Sequence, residues 1–457
     1  MSKLLNRLTY TFIIISALSF MLFLITSAYL VRPCSDDLWF YYEYLNKGWF
    51  NAIYEFKYNK RWVSYLTFNT ICLFSKNFIE LHKAFFIYHL IVYSFLLFST
   101  TRLIRISAEF FLEIKLNIGR AFLLSIMFIS ALYFSTLHAQ EVWFWTVANT
   151  AYLLPIPLLF IGIYEFMNKN SILSKIIIAL VFFLIGGTLE NLTITISLSL
   201  IYYLSYSIKL NNRDQIKKSI IALCSVIILP IISFFGNGIN NRINLNEKSF
   251  KNQTIKYFES VFFDYELKFN TPRIIIFISI LCMVFFIANG LKDKIKNVSF
   301  NFRKLIKVNV FLLLIFSIGT YLPLIKLFGN LGSARASMPF VLLICISCCV
   351  WIFIFGLYTS FESKLFYLIS SSIGTILLVS FTNKQYTTSM RFSNAFDNRV
   401  EYIISQKNNK CKYILVNQLP DSGVLASQEV GGIKDKGYIS SYYLGRVNGI
   451  DKDVFLK

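Results

Sequence analysis

Charged side chains are scarce in this chain of 457 residues: they make up 15% of it, while hydrophobic residues make up 56%. A soluble domain carries roughly 25% charged residues, so this composition cannot cover a water-facing surface. The chain also lacks a Gly-rich Walker motif, a zincin helix and a serine-hydrolase elbow. Its histidines, His82, His89 and His138, do not have a metal-ligand spacing. These absences argue against a soluble protein and against nucleotide-dependent chemistry in the cytoplasm.

Long apolar runs replace the missing charge, and the mean hydropathy is +0.58. A bilayer core needs about 20 apolar residues per helix, and backbone groups in lipid must be bonded within the segment. The sequence therefore predicts an all-α integral membrane bundle of about eleven transmembrane helices. The predicted spans are 8–30, 82–101, 121–137, 150–168, 173–189, 191–208, 219–236, 274–291, 308–328, 336–358 and 365–382.

The net charge of +21 is distributed unevenly along the chain. If the N-terminus is cytoplasmic and segment 62–75 does not span, the basic residues gather in the inner loops, and the short outer turns hold only Arg335, with Lys326 at a helix end. If segment 62–75 spanned, this asymmetry would invert, against the positive-inside rule. We therefore predict a juxtamembrane or re-entrant helix at 62–75, and the charge requires no nucleic-acid partner.

These assignments divide the chain into a transmembrane domain, 1–382, and a small outer tail, 383–457. The transmembrane domain would carry two long outer loops, 31–81 and 237–273. In the tail, Phe392, Phe396, Val400 and Ile404 have helical spacing, and residues 412–416 have the composition of a strand. We therefore predict a folded α/β tail on the outer face.

Two adjacent carboxylates, Asp36 and Asp37, follow the first predicted span in the segment Arg32-Pro-Cys-Ser-Asp-Asp. Neighbouring like charges raise each other's pKa, and such a pair suits a general base or a metal site. Ser and Asp also cap helices, and residues 36–43 have the composition of a helix start. Both interpretations stay open at this point.

A second acidic segment is the outer turn 138–149, which contains His138, Glu141, Trp143 and Trp145 and no Lys or Arg. Tryptophan rings stack on sugar faces, and a carboxylate accepts hydrogen bonds from sugar hydroxyls. Tryptophan is also enriched at membrane interfaces, which would account for both rings without a ligand. That alternative does not account for Glu141, which therefore remains a candidate functional residue.

Two further polar sites lie at predicted outer helix ends. Glu190 and Asn191 separate two apolar spans; ionisable groups at this depth often mark function, although a helix cap is the alternative. Arg335 opens the span 336–358, where a helix N-terminus and a guanidinium together suit a phosphate. A salt bridge from Arg335 to an outer carboxylate is the alternative there.

With these features, the chain resembles the GT-C superfamily of polyprenyl-phosphate-dependent membrane glycosyltransferases. The resemblance rests on the acidic pair Asp36-Asp37 in the first outer loop, on juxtamembrane helices after it and on many helices leading to an outer C-terminal region. The chain is also similar to a little-characterised family of bacterial multi-pass membrane proteins. The shared motifs are Ser35-Asp36-Asp37, Lys60-Arg61-Trp62, Glu141 to Trp145, Glu190-Asn191 and the segment 397–403.

The resemblance implies a sugar donor on a polyprenyl phosphate or diphosphate and a glycan or lipid acceptor outside the cytoplasm. Asp36 or Asp37 would deprotonate the acceptor hydroxyl, while Arg335 neutralises the departing lipid phosphate. Glu141 and Glu190 would bind sugar hydroxyls or assist the base. The other substrate-binding candidates are Arg61, His138, Trp143, Trp145 and Asn191. No clear set of metal ligands is evident, so a divalent cation stays open as a cofactor.

The predicted function is sugar transfer in cell-surface polysaccharide synthesis, at a bacterial inner membrane, with the active face and the C-terminus outside. The alternatives are a lipid-linked glycan polymerase and a polysaccharide or lipid transporter or flippase. A transporter is expected to have inverted repeats and charges midway along helices, whereas the acidic candidates lie at outer helix ends. An active site requires Asp36, Glu141, Glu190 and Arg335 to converge; independent caps would scatter around the rim.

Overall fold

The structure is a computed structural model. It describes residues 2–50, 61–75, 77–136, 138–168, 171–234, 271–292, 302–328, 334–359, 363–427, 429–432 and 439–457. The helices are α1 (Ser2–Leu30), α2 (Asp36–Lys47), α3 (Trp62–Leu73), α4 (Leu81–Leu112), α5 (Ile118–Ser135), α6 (Thr146–Tyr152), α7 (Pro155–Met167), α8 (Ile172–Gly186), α9 (Glu190–Lys209), α10 (Arg213–Phe234), α11 (Thr271–Asn289), α12 (Phe302–Phe328), α13 (Met338–Tyr358), α14 (Lys364–Ser405) and α15 (Ile439–Arg446). The strands are β1 (Tyr413–Val416) and β2 (Asp453–Leu456).

In the described part of the chain, 8 helical segments are long and apolar enough to cross a membrane. They are α1, α4, α5, the α6–α7 pair, α11, α12, α13 and α14. Helices α8, α9 and α10 occupy the remaining predicted spans, with 15, 20 and 22 residues. The prediction of an all-α membrane protein is therefore confirmed.

The doubtful segment 62–75 forms α3, which has 12 residues. At 1.5 Å per residue such a helix is roughly 18 Å long, well short of a hydrocarbon core of about 30 Å. A helix of this length cannot cross the bilayer as one straight span. The second predicted outer loop, 237–273, lies outside the described residues except for the positions from Thr271 onward, which open α11.

Several helix starts use a side-chain cap that can be read from the sequence. Asn117 accepts a hydrogen bond from the Arg120 amide (2.9 Å) at the start of α5, and the Ser171 hydroxyl accepts one from Ser174 (3.0 Å) at the start of α8. Pro155 opens α7, where its missing N–H is not needed. Each cap satisfies an amide that the helix itself leaves unpaired.

The long helices pack in a closed circuit, in the order α4, α7, α8, α10, α9, α12, α13, α11, α14, α1 and back to α4. Helix α5 packs against α4, α11, α13 and α1 and is largely buried. Polar contacts between spans are few and specific: the Ser16 and Thr375 hydroxyls, 2.8 Å apart, join α1 to α14. The outward faces of the circuit are apolar, as lipid contact requires.

Helix α10 carries a buried lysine that caps a neighbouring helix. Lys218 is 1% exposed, and its Nζ donates to the carbonyl oxygens of Glu165 (2.7 Å), Phe166 (3.3 Å) and Asn168 (2.9 Å) at the end of α7. These carbonyls lack partners within their own helix, and the C-terminal end of a helix attracts a cation. Lys218 therefore fastens α10 to α7.

Helix α14 has 42 residues and runs unbroken through the predicted domain boundary at 382/383. At 1.5 Å per residue it is roughly 63 Å long, about twice the bilayer core, so its C-terminal half projects beyond the membrane. Phe392, Phe396 and Val400, which have the helical spacing noted in the sequence, lie in α14 and are buried. At the next turn Ile403 is buried, whereas Ile404 is 36% exposed, so the buried face does not follow the four-residue spacing there.

The strand predicted at 412–416 is present as β1, which pairs in parallel with β2, Tyr413 opposite Asp453 and Val416 opposite Leu456. Helix α15 precedes β2 and packs on α2, where the rings of Tyr42 and Tyr443 lie 5.2 Å apart. The tail elements therefore contact the helix that begins with the acidic pair.

Helix α14 is also tied to the first outer loop directly. The Arg32 guanidinium makes two 2.7 Å hydrogen bonds to the carboxylate of Asp397, and the Ser393 hydroxyl donates to the Leu30 carbonyl at 2.6 Å. A bidentate pair of this kind sets orientation as well as distance. It holds the segment before Asp36 in place.

Candidate active site at the outer helix ends

The acidic pair opens α2 without acting as a conventional cap. Ser35, the residue before the helix, makes no side-chain cap hydrogen bond and has a φ of 43°. A positive φ is uncommon outside glycine, and such strained residues cluster at functional sites. The cap alternative considered for Ser35 and Asp36-Asp37 is therefore not the arrangement that the structure has.

The two carboxylates have different surroundings. Asp37 is fully buried, and its oxygens accept hydrogen bonds from the amides of Cys34 (3.2 Å) and Val147 (3.0 Å). Burial raises the pKa of Asp37 to about 8, against the opposing effect of these amides. Asp37 therefore joins the segment between α1 and α2 to the start of α6, and its carboxylate is closed to solvent.

Asp36 is only partly buried, and the charges of two guanidinium groups act on it. Burial raises the pKa of Asp36 above its ordinary value, while the charges of Arg335 and Arg61 oppose that rise. Both arginines are thus close enough to act on the same carboxylate, although they are far apart in the sequence. Of the two aspartates, Asp36 is the more accessible one.

Glu141 lies in a π-helical turn, Gln140–Phe144, and contacts Arg335. The distance from Arg335 Nη1 to Glu141 Oε2 is 3.2 Å, and His138 Nδ1 lies 3.6 Å from Glu141 Oε1. Burial acts to raise the pKa of Glu141, but His138 and Arg335 more than offset it, so the net pKa is below its ordinary value. The Arg335 guanidinium also stacks over the Trp145 ring, 4.6 Å from its centre.

A network of buried hydrogen bonds supports the π-helical turn Gln140–Phe144. Tyr93 donates to the Trp143 carbonyl (2.7 Å), Asn149 donates to the same oxygen (3.1 Å), and Tyr88 donates to Asn149 Oδ1 (3.0 Å). π-Helical turns recur at functional sites, and their displaced carbonyls need such partners. Sequence reasoning missed these residues, although Asn149 and the tyrosines are polar groups placed within otherwise apolar segments.

The structure contradicts the prediction that Trp143 is a substrate-binding residue. Trp143 is fully buried, its ring packs against Tyr93 and Tyr133, and its Nε1 donates to Thr136 at 3.4 Å. A ring with no accessible face cannot stack on a sugar, so Trp143 is a core residue. The turn needs an apolar side chain on its inner face, and sequence alone could not tell which tryptophan supplies it.

Glu190 pairs with Arg61, with Arg61 Nε 3.1 Å from Glu190 Oε2. The pair forms because the start of α3 packs on the turn between α8 and α9, where the Val63 amide donates to the Gly187 carbonyl at 3.0 Å. A Cβ on Gly187 would lie 2.3 Å from Trp62 Nε1 and 2.6 Å from Val63 Cγ2. Only glycine therefore allows this approach.

Asn191 has a positioning role. It is buried, and its Nδ2 donates to the Ala336 carbonyl at 2.6 Å. This bond holds the short 3-10 helix Ala334–Ser337, which carries Arg335, against the start of α9. The residues directly before this 3-10 helix, 329–333, lie outside the described residues.

The regions of Asp36, Glu141, Glu190 and Arg335 therefore converge at one place. In this cluster, two guanidinium groups, Arg61 and Arg335, each pair with a glutamate, and the charges of both act on Asp36. Within the described ranges, no group of three or more His, Cys, Asp or Glu side chains is arranged to hold a metal ion. The arrangement brings a carboxylate and two guanidinium groups to one place, and guanidinium groups are suited to bind phosphate.

Comparison of the chain with protein-family models finds no match. Comparison with curated proteins and with solved structures also finds none. The functional argument therefore rests on the chain's own residues and their contacts.

Proposed function

We propose that this chain is a membrane glycosyltransferase of the GT-C type, which moves a sugar from a polyprenyl-phosphate donor to a glycan or lipid acceptor. The observation that carries the proposal is the cluster in which the Arg335–Glu141 and Arg61–Glu190 pairs meet the start of α2, where the partly buried carboxylate of Asp36 feels the charge of both arginines. A base beside two cations suits a reaction in which a hydroxyl loses a proton while a phosphate leaves.

In the proposed step, Asp36 accepts the proton of the acceptor hydroxyl as its oxygen bonds to the anomeric carbon of the donor. The bond from that carbon to the phosphate oxygen breaks, and the electron pair leaves with the polyprenyl phosphate. Arg335 and Arg61 neutralise the charge that develops on the phosphate. The raised pKa of Asp36 makes it a stronger base than a solvated aspartate.

The glutamates hold the arginines before the donor binds. When a phosphate engages Arg335 and Arg61, Glu141 and Glu190 accept hydrogen bonds from sugar hydroxyls. Trp145 keeps the Arg335 guanidinium in a fixed plane by stacking. His138 lies beside the same carboxylate, so Glu141 contacts both His138 and Arg335.

The proposal includes the finer topology. Eleven helices would cross a bacterial inner membrane, with α8, α9 and α10 added to the apolar spans. The N-terminus would be cytoplasmic, and the cluster and the tail 383–457 would lie outside. The uneven distribution of basic residues supports this orientation.

The experiment uses the full chain in lipid nanodiscs with a panel of polyprenyl-phosphate sugars and measures release of polyprenyl phosphate. We expect Asp36→Asn to lower turnover by about 10²–10⁴-fold, the range for loss of a general base. Arg335→Ala should lower it by about 10²–10³-fold. Asp451→Asn is the matched control, because that aspartate is 91% exposed in the tail, and it should leave turnover unchanged. Addition of EDTA to the same assay measures metal dependence.

Asp37→Asn separates the two aspartates. A positioning role predicts a loss of stability, and a loss of turnover that follows the unfolded fraction, whereas a base would lose turnover in a folded protein. If no donor is consumed, and the Asp36 and Arg335 variants behave as wild type in a cellular glycan assay, the glycosyltransferase proposal fails and transport becomes the leading alternative.

A further inference from the structure

A groove of about 380 Å³ lies in the tail, between α14 and the segment that follows β1. It is separate from the cluster around Asp36, and its volume is within the range of small-molecule sites. Its apolar lining includes Leu415, Val416 and Leu419, and its polar lining residues are Asn398, Arg399, Tyr402, Asn417, Gln418 and Lys457.

The groove lies at the carboxyl ends of both parallel strands. Gln418 comes two residues after β1 ends at Val416, and Lys457 follows β2 directly. The crevice outside the carboxyl ends of parallel strands is the usual ligand position in α/β units, because the loops there diverge and leave room. The topology thus places a polar groove where such units bind ligands.

The groove and the contact with Arg32 lie on different faces of α14. Ala395, Asn398 and Tyr402 follow each other at helical spacing and line the groove, whereas Asp397, which lies between them in sequence, pairs with Arg32 of the first outer loop. One face of α14 therefore holds the helix in place while the other is left for a ligand.

The groove wall is pre-organised, and its strongest charge is already neutralised. Arg399 is buried and donates to both oxygens of Glu429 and to the Asn417 carbonyl, and Glu429 also accepts from the Leu419 amide at 2.7 Å. With Arg399 paired, the groove offers the amide groups of Asn398 and Gln418, the ring of Tyr402 and the single ammonium group of Lys457. These groups match a neutral, hydroxyl-rich ligand better than a multiply charged anion.

We propose that this groove binds a neutral saccharide chain, with Tyr402 stacking on a sugar ring and Asn398 and Gln418 bonding its hydroxyls. The choice of a saccharide over another neutral polar ligand rests on the proposed function. The site would hold a length of glycan on the outer face, apart from the reacting hydroxyl.

The test is saturation-transfer NMR on the full chain in nanodiscs, with maltotetraose, cellotetraose and chitotetraose as probes. An open groove of this kind discriminates weakly between neutral sugars, so at least one probe should bind. Tyr402→Ala should weaken that binding about tenfold, as expected for loss of an aromatic stacking face. Gln418→Ala is the second variant and should also weaken it.

Tyr386→Ala is the matched control, because Tyr386 lies on the same helix and is 44% exposed, against 43% for Tyr402. It should bind the probe as wild type does. Absence of saturation transfer to all three probes, or equal binding by the Tyr402 and Tyr386 variants, overturns the saccharide site. The readout requires no sugar transfer, so a failure here leaves the test of Asp36 unaffected, and the reverse also holds.

Discussion

Replacement of Gly187 by alanine tests whether α3 packs on the turn between α8 and α9. The added Cβ would lie 2.3 Å from Trp62 Nε1, 2.7 Å from Trp62 Cε2 and 2.6 Å from Val63 Cγ2. Carbon atoms in good contact are separated by about 3.5–4.0 Å, so the start of α3 must move by roughly 1 Å. Both neighbours belong to the first turn of α3, so a rotation of one flexible side chain cannot relieve both contacts.

The displacement affects two bonds of the site. The Val63 amide loses its hydrogen bond to the Gly187 carbonyl, and Arg61 moves away from Glu190. Overpacking of a well-packed contact typically costs 1–3 kcal/mol, so we expect the free energy of unfolding to fall by about 2 kcal/mol. Because Arg61 also acts on Asp36, turnover of a polyprenyl-phosphate sugar should fall as well.

The assay is thermal unfolding in nanodiscs together with donor turnover, with Gly119→Ala as the matched control. Gly119 lies in the first turn of α5, and a Cβ there meets nothing within 4 Å. Alanine is favoured over glycine in helices by about 0.5–1 kcal/mol, so this variant should be as stable as wild type or slightly more stable. The two variants add the same methyl group and differ only in what it meets.

The difference between Gly187→Ala and Gly119→Ala tests the packing of α3 on the turn between α8 and α9. If Gly187→Ala melts within one degree of the control and keeps full turnover, α3 is not held against this turn and the Arg61–Glu190 contact does not form there. If it loses stability but keeps turnover, the packing is correct and Arg61 is not part of the reaction.

Replacement of Lys218 by methionine should lower the free energy of unfolding by about 1–3 kcal/mol without changing turnover, because three carbonyls at the end of α7 lose a charged donor, although the Ser174 and Gln215 side chains still donate to two of them. The exposed neighbour Lys217→Met is the control in the same melting experiment. A double-mutant cycle of Arg32→Ala and Asp397→Ala, followed by denaturation, should give a coupling free energy of about 1–3 kcal/mol, and additive effects would mean that the bidentate pair holds nothing. The pKa of Asp37 is about 8 in the folded protein, so its contribution to stability is lost as pH rises from about 4 through 8. Asp37→Asn should remove that pH dependence, and an unchanged slope in denaturation curves measured across this range would contradict it.

The sequence by itself determined that the chain is a helical membrane protein, and where most of its helices lie. A bilayer leaves few solutions for an apolar run of about 20 residues, so composition alone decides the class. Local chemistry also predicted β1, because its composition was that of a strand, and the buried stripe of α14, because its spacing was helical.

Only the tertiary structure decided how the candidate residues combine. Asp36 and Asp37 are neighbours with the same side chain, yet one meets two arginines and the other is sealed against the Cys34 and Val147 amides. The same applies to Trp143, which is buried, and Trp145, which supports Arg335. The contacts of Asp37 with Val147 and of Arg335 with Glu141 join segments more than a hundred residues apart, and no local pattern encodes which partner a charge will meet.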